Sequence, residues 1–181
     1  MKKFTLVAVI ALLFSSTLSA QNQYQILVEK PNEKSLKGII SHEVLQSDTS
    51  FKWYAANQKG YIPNAQAVAS LKKMADSIQL VVFMGTWCED SHAIIPKFFS
   101  LLDAAGFSNN RVTLIGVDRE KKTLSHLTEA LGIVNVPTII VFQNGKEMGR
   151  VVEYGKSGLF DKDLADILNL IVRKAVLSPI R

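Results

Sequence analysis

Thr86-Trp87-Cys88-Glu89-Asp90-Ser91-His92 is the stretch that decides how this chain is read. An apolar run, Leu80-Val81-Val82-Phe83-Met84-Gly85, leads into it, and a periodic segment from Ile94 to Leu102 leads out. The first has the composition of a strand buried on both faces. The second repeats apolar residues at helical spacing. Cys88, the one cysteine of the chain, therefore falls where a buried strand gives way to a helix. Such a junction presents unpaired backbone N–H groups and the positive end of a helix dipole, which together favour a thiolate. The fourth position of the C-x-x-C spacing is Ser91, whose hydroxyl can donate to a thiolate but cannot attack a disulfide.

Working outward, Gln79 to Met84 is expected to be a strand, and Ser91 to Ala105 a helix with Ile94, Ile95, Phe98, Leu101 and Leu102 facing the core. Gly106 ends that helix, and Pro96 lies inside it, where it removes a hydrogen bond and kinks the axis. Arg111 to Val117 reads as a second buried strand, and Thr123 to Leu131 as a shorter helix closed by Gly132. After Val134-Asn135-Val136-Pro137 comes a strand, Thr138 to Phe142. Asn144-Gly145 is a strong hairpin signal, so Met148 to Tyr154 returns antiparallel. Phe160 to Val176 forms the last helix. Two strand–helix–strand units imply parallel pairing, with the hairpin adding an antiparallel edge.

Upstream, Tyr24 to Val28 reads as a short strand. Leu36 to Gln46 carries mixed apolar residues, with Ser41-His42-Glu43 opening a short helix. Asp48-Thr49-Ser50 caps another short helix holding Phe51, Trp53 and Tyr54. Asn64 caps a clearer helix bearing Ala67, Leu71 and Met74. Residues 21–65 read as an amino-terminal extension packed on the main domain, residues 66–181.

The first twenty residues read as a secretory signal peptide. Lys2 and Lys3 form a basic start, Phe4 to Phe14 an apolar run too short for a membrane span, and Ser15 to Ala20 a small polar end. No cysteine follows to carry a lipid anchor. Of 181 residues 48% are hydrophobic, which suits a single domain with a full-sized core. Removing Lys2 and Lys3 lowers the formal charge from +5 to +3. The remaining basic residues are scattered without interleaved aromatics, so nucleic acid is not an expected partner.

The order of elements, with Trp87-Cys88-x-x-Ser91 at the junction, resembles the thioredoxin fold, an α/β fold with a mixed central sheet covered by helices. Pro96 matches that family's helix-kinking proline, Val136-Pro137-Thr138 its cis-proline loop, and Asn144-Gly145 its hairpin. The chain is also similar to a group of exported, Bacteroidetes-type thioredoxin-like proteins with a Trp-Cys-x-Asp-Ser motif behind an extension of this sort. The resemblance implies that Pro137 is cis and lies beside the sulfur. It implies Cys88 as nucleophile and Ser91 as stabiliser of its thiolate, with Trp87, Val136 and Pro137 shaping a substrate groove. Two departures narrow the chemistry. The family's buried carboxylate six residues before the cysteine is here Val82, and its lysine partner corresponds to Leu114, so the proton relay is missing. Ser91 replaces the resolving cysteine.

These residues point to monothiol exchange, by isomerase or mixed-disulfide chemistry, on cysteine-containing envelope proteins or with a partner oxidoreductase. The alternative is a non-catalytic binding module for extended peptides. The helix start favours the thiolate by about 0.3–1 kcal/mol, while Glu89 and Asp90 oppose a third negative charge nearby. No cofactor and no metal site are expected. His92 shares a helix face with Cys88 at spacing four, but His42 and His126 are isolated in sequence. The Cys-Gly-Phe-Ser motif of cluster-binding monothiol glutaredoxins does not match Glu89-Asp90. A monomer without a membrane span after signal cleavage is the expected state, in the periplasm or secreted.

Overall fold

The computed structural model describes residues 23–30 and 33–177. The proposed signal peptide, 1–20, lies outside them. Six strands form one sheet: β1 (Tyr24–Lys30), β2 (Glu33–Ile40), β3 (Gln79–Met84), β4 (Val112–Gly116), β5 (Thr138–Gln143) and β6 (Lys146–Val152). Their order across the sheet is β1-β2-β4-β3-β5-β6, so the strand leading to Cys88 is central. The helices are α1 (His42–Ser47), α2 (Trp53–Gln58), α3 (Ala65–Met74), α4 (Glu89–Ala105), α5 (Leu127–Ala130) and α6 (Phe160–Leu177).

Both faces of β3 are covered, which is why its sequence is a continuous apolar run. Leu80, Val82 and Met84 join the larger core with Ile94, Ile95, Phe98, Leu101 and Leu102 of α4, and with Leu164 and Leu168 of α6. Phe83 belongs to a second core on the opposite face, with Ile115, Val117, Val136 and Ile140, against which Leu127, Leu131 and Ile133 pack. Each fully buried side chain of this size contributes about 1.5–3 kcal/mol relative to exposure. The expected strand at Gln79 is reproduced, and α4 starts at Glu89, two residues earlier than its periodicity indicates. Gly106 ends α4 at φ 63, and the Asn144-Gly145 turn has φ 52 and 74, both left-handed as a two-residue hairpin of this twist requires.

Three expectations need correction. Glu33–Ile40 is a strand, which the mixed apolar pattern between Leu36 and Gln46 obscured. It pairs antiparallel with β1 on one side and with β4 on the other, so the upstream segment lengthens the sheet itself. Second, among the described residues only β3 and β4 run parallel; β5 runs antiparallel to β3. The connection before β5 explains this. Its four-residue α5 rises only about 6 Å, too little to carry the chain back along the sheet. β5 therefore starts at the end where β4 stops. Third, Thr123 to Leu131 is not one helix. Ser125 and His126 sit at φ 57 and 53 and break it into a 3-10 turn and α5.

Below the sheet, His42 of α1 is buried and stacks flat on Phe99, ring centroids 3.8 Å apart, while its Nε2 bonds the Tyr54 hydroxyl. Burial pushes its pKa down, against the opposing charges of Asp103 and Glu43. A histidine depressed in the folded state stays neutral there while the unfolded chain takes up its proton. Its contribution is intact above the unfolded pKa, about 6.5, and is lost as pH falls from there to the folded value. The melting temperature is expected to drop between pH 7 and pH 5, and to drop less in His42→Gln, which keeps a polar partner for Tyr54 but cannot titrate. Equal slopes in the two melting series would contradict this.

Candidate functional site

Cys88 is the N-cap of α4, with φ −94 and ψ 123. An extended cap residue directs its side chain away from the helix, and here that places the half-buried sulfur against the loop before β5. The thiol donates to the Val136 carbonyl at 3.2 Å. The Val136–Pro137 peptide bond is cis. Val136 and Pro137 are both buried, and the Pro137 carbonyl accepts from Glu153 N at 2.7 Å, which anchors the loop to the end of β6. The Val136 N–H finds no acceptor among the described residues, leaving one donor beside the sulfur for an incoming strand.

Ser91 supports the turn that carries Cys88. It is fully buried, and its oxygen accepts from Gly85 N at 3.2 Å. No hydrogen bond joins it to Cys88 among the described residues. Its observed contact holds the Gly85–Cys88 turn onto the helix start, where Cys88 N also donates to Gly85 O at 3.0 Å. Trp87 is half-buried. Its indole N–H donates to Val117 O at 2.9 Å, and the Arg119 guanidinium lies over the ring, 5.3 Å from its centroid. Gly85 is required beneath it, because a Cβ there would stand 2.7 Å from the indole.

His92 turns away from Cys88 despite the shared spacing. Its Nε2 lies 2.7 Å from the Thr86 carbonyl, and an oxygen that can only accept assigns the proton to Nε2. The imidazole stacks on Trp53 of α2, centroids 4.1 Å apart. Thr86 meets the upstream strand as well: its hydroxyl accepts from Leu36 N and donates to Lys34 O, each at 3.1 Å. The residues before the thioredoxin-like region are thus bonded to both ends of the active-site turn. His92→Ala is expected to cost about 1–2 kcal/mol in urea unfolding, from one lost hydrogen bond and one lost ring stack. A loss under about 0.5 kcal/mol, the range of an ordinary surface change, would show that the contact is idle.

Glu89 and Asp90 occupy the first turn of α4. Burial first, then the charge of Asp90, then Cys88, raise the phenol of Tyr154, after β6, above the usual range. The sequence left Tyr154 unremarked; its signal is an aromatic placed before Gly155, where the chain turns past Pro137. Trp53, Thr86 and Gly85 were likewise missed as supports of the site. The positions of the family's proton relay are apolar and buried, and Val82 and Leu114 are register partners across β3 and β4. His126 is an exposed side chain near Glu129. Among the described residues no three His, Cys, Asp or Glu side chains gather as a metal site, and no helix is long and apolar enough to cross a membrane.

A central strand, a thiol at the following helix start and a proline loop against the sulfur define a thioredoxin-fold protein. The Thioredoxin family model matches residues 64–165. Thioredoxin of Echinococcus granulosus is 31% identical over 84 residues, spanning 46% of this chain and 73% of that protein. Thioredoxin of Chlamydia trachomatis is 32% identical over 100 residues, spanning 53% and 87%. A solved thioredoxin from Trypanosoma brucei brucei overlays 64% of this chain and 96% of its own at TM-score 0.36 and 19% identity. The chain belongs to the thioredoxin family.

Proposed function

We propose that this is an exported monothiol member of the family, working by thiol–disulfide exchange on cysteine-containing envelope proteins. The observation that supports it most is the half-exposed Cys88 sulfur at the start of α4, 3.2 Å from the Val136 carbonyl and beside an unpaired Val136 N–H. In the first step Cys88 loses its proton to solvent and its thiolate attacks a substrate disulfide. One sulfur of that disulfide becomes bonded to Cys88, and the other leaves as a thiolate that takes up a proton. A second thiol, from the substrate itself or from a partner oxidoreductase, then attacks the mixed disulfide and releases Cys88. When the substrate supplies that thiol, a disulfide is moved and no net oxidation occurs, which is isomerase chemistry.

Substrate chain would lie along the Val136 loop, with Trp87 and Pro137 as apolar walls. The apolar Val82–Leu114 pair offers no buried carboxylate to carry protons, so release of the mixed disulfide depends on the incoming thiol. Refolding of scrambled ribonuclease tests the reading. Acceleration by the parent protein, lost in Cys88→Ser, is the expected outcome; equal rates would leave a thioredoxin-fold binding module. Recovery of mixed disulfides on Cys88 from cells identifies the substrates. Export is tested by the mature amino terminus in the envelope fraction, expected near Gln21.

A further inference from the structure

We propose that a cavity beside Cys88 selects which polypeptides its thiol engages. Its occupant is a substrate segment carrying a large apolar side chain next to a carboxylate, about three residues from the attacked cysteine. The proposal rests on the exchange reading above and names its substrate class. The cavity holds about 460 Å³ and lies between the loop before α3, the inner face of α4 and the loop that joins β6 to α6. Tyr154 belongs to its wall, and the neighbouring Glu153 N donates to the carbonyl of Pro137, in the loop against the sulfur, at 2.7 Å.

Three large apolar residues are exposed around this one opening: Ile62 at 86%, Leu159 at 57% and Tyr154 at 42%. Singly exposed apolar residues are ordinary, but several converging on a concavity mark a place where an apolar group is received. The charges give the occupant its second feature. Asp161, the carboxylate of the wall, is buried and already engaged: it accepts from the Tyr61 hydroxyl at 2.8 Å, from Asn64 N at 3.1 Å and from Lys162 N at 2.8 Å. Lys97, the cation of the wall, has no carboxylate partner among the described residues. An acidic residue placed at Lys97 satisfies that charge, whereas a basic one at the same place is repelled by it.

Spacing follows from the helix. From Cys88 to Ile94, a wall residue of the cavity, α4 advances about 9 Å, which about three extended residues span. A segment held by Val136 at its cysteine therefore reaches the opening with its third neighbour.

The test uses the full mature chain and short peptides whose single cysteine is activated as a disulfide with thionitrobenzoate, a low-pKa leaving group that directs attack to the peptide sulfur. Leu-Asp, Ser-Asp, Leu-Lys and Ser-Lys are placed three residues from the cysteine, on either side. Release of thionitrobenzoate reports each rate, which is divided by the same protein's rate with Ellman's reagent to remove differences in thiol reactivity. The Leu-Asp peptide on one side is expected to exceed Ser-Lys by about tenfold, the effect of burying part of one leucine and pairing one charge. In Ile62→Ser/Leu159→Ser the leucine preference falls to within about twofold, the scatter of an unselective site, and in Lys97→Glu the preference for Asp over Lys reverses. Equal rates for all four peptides, or preferences unchanged in the variants, overturn the cavity's role while the thiol still reacts with Ellman's reagent. No reaction with that reagent overturns the exchange reading and this proposal with it.

Discussion

Ser91→Cys is expected to turn a protein that cannot release its own mixed disulfide into one that reduces insulin with dithiothreitol. The parent has one thiol, so under the proposed exchange each mixed disulfide waits for an outside thiol. A thiol at position 91 supplies the missing intramolecular attack, and the rate of insulin precipitation should rise at least about tenfold over the parent. The position is suitable because Ser91 lies one turn after Cys88, and Cβ atoms at that spacing are about 5–6 Å apart. A disulfide needs about 3.5–4.5 Å, a difference that adjustment at the extended Cys88 cap can close. The substitution exchanges the bond to Gly85 N for a weaker sulfur contact, which costs about 1 kcal/mol. Cys88→Ser/Ser91→Cys should remain inactive. An active double variant, or a Ser91→Cys protein that neither reduces insulin nor forms the internal disulfide, would show that the two positions do not work as a pair.

Gly116→Ala should be a strongly damaging single methyl in the sheet. A Cβ at Gly116 would stand 2.2 Å from the Leu36 carbonyl oxygen and 2.9 Å from its carbon. Both are backbone atoms, so no rotamer relieves the contact. β2 pairs with β4 from Gly38 opposite Gly116 to Ile40 opposite Leu114. At Leu36 it leaves that ladder, and the Thr86 hydroxyl takes over, accepting from Leu36 N and donating to the Lys34 carbonyl. The close approach over Gly116 is what brings Leu36 to Thr86. Forcing the strands apart therefore disturbs the sheet and the active-site turn together. The expected loss is about 3 kcal/mol, the upper part of the range for an added methyl in a packed site. That corresponds to a fall in melting temperature of about 6–12 °C for a domain of this size. A loss below about 1 kcal/mol in urea unfolding would mean that the strands part without cost, outside the usual range for overpacking.

Much of the site's location was legible in the residues. The apolar run into Cys88, the helical period after it, Gly106, Asn64 as a cap and Asn144-Gly145 each report a local preference, and each stands in the structure where its chemistry places it. The strand at Glu33–Ile40 was not legible. It alternates only partly, because Lys34 and Lys37 are held in ion pairs with Asp48 and Asp118 and Gly38 interrupts the pattern. The break at Ser125 and His126 was hidden for a related reason. Both residues adopt left-handed backbone, which is uncommon for any residue but glycine, so the helical pattern around them gave no sign of it.

The sequence by itself determined the thiol's address: one cysteine at a strand-to-helix junction, no second thiol, and apolar residues at Val82 and Leu114. These are matters of identity and local period, which survive without knowledge of neighbours. Only the tertiary structure decided what each neighbour of that thiol does. Ser91 bonds Gly85 rather than Cys88, and His92 stacks on Trp53 rather than facing the sulfur. The upstream strand reaches Thr86, and Tyr154 and Ile62 meet across a cavity from distant parts of the chain. Such contacts depend on where separate segments come to rest, and hydrogen bonds go to the nearest complementary group in space, which spacing along a helix does not reveal.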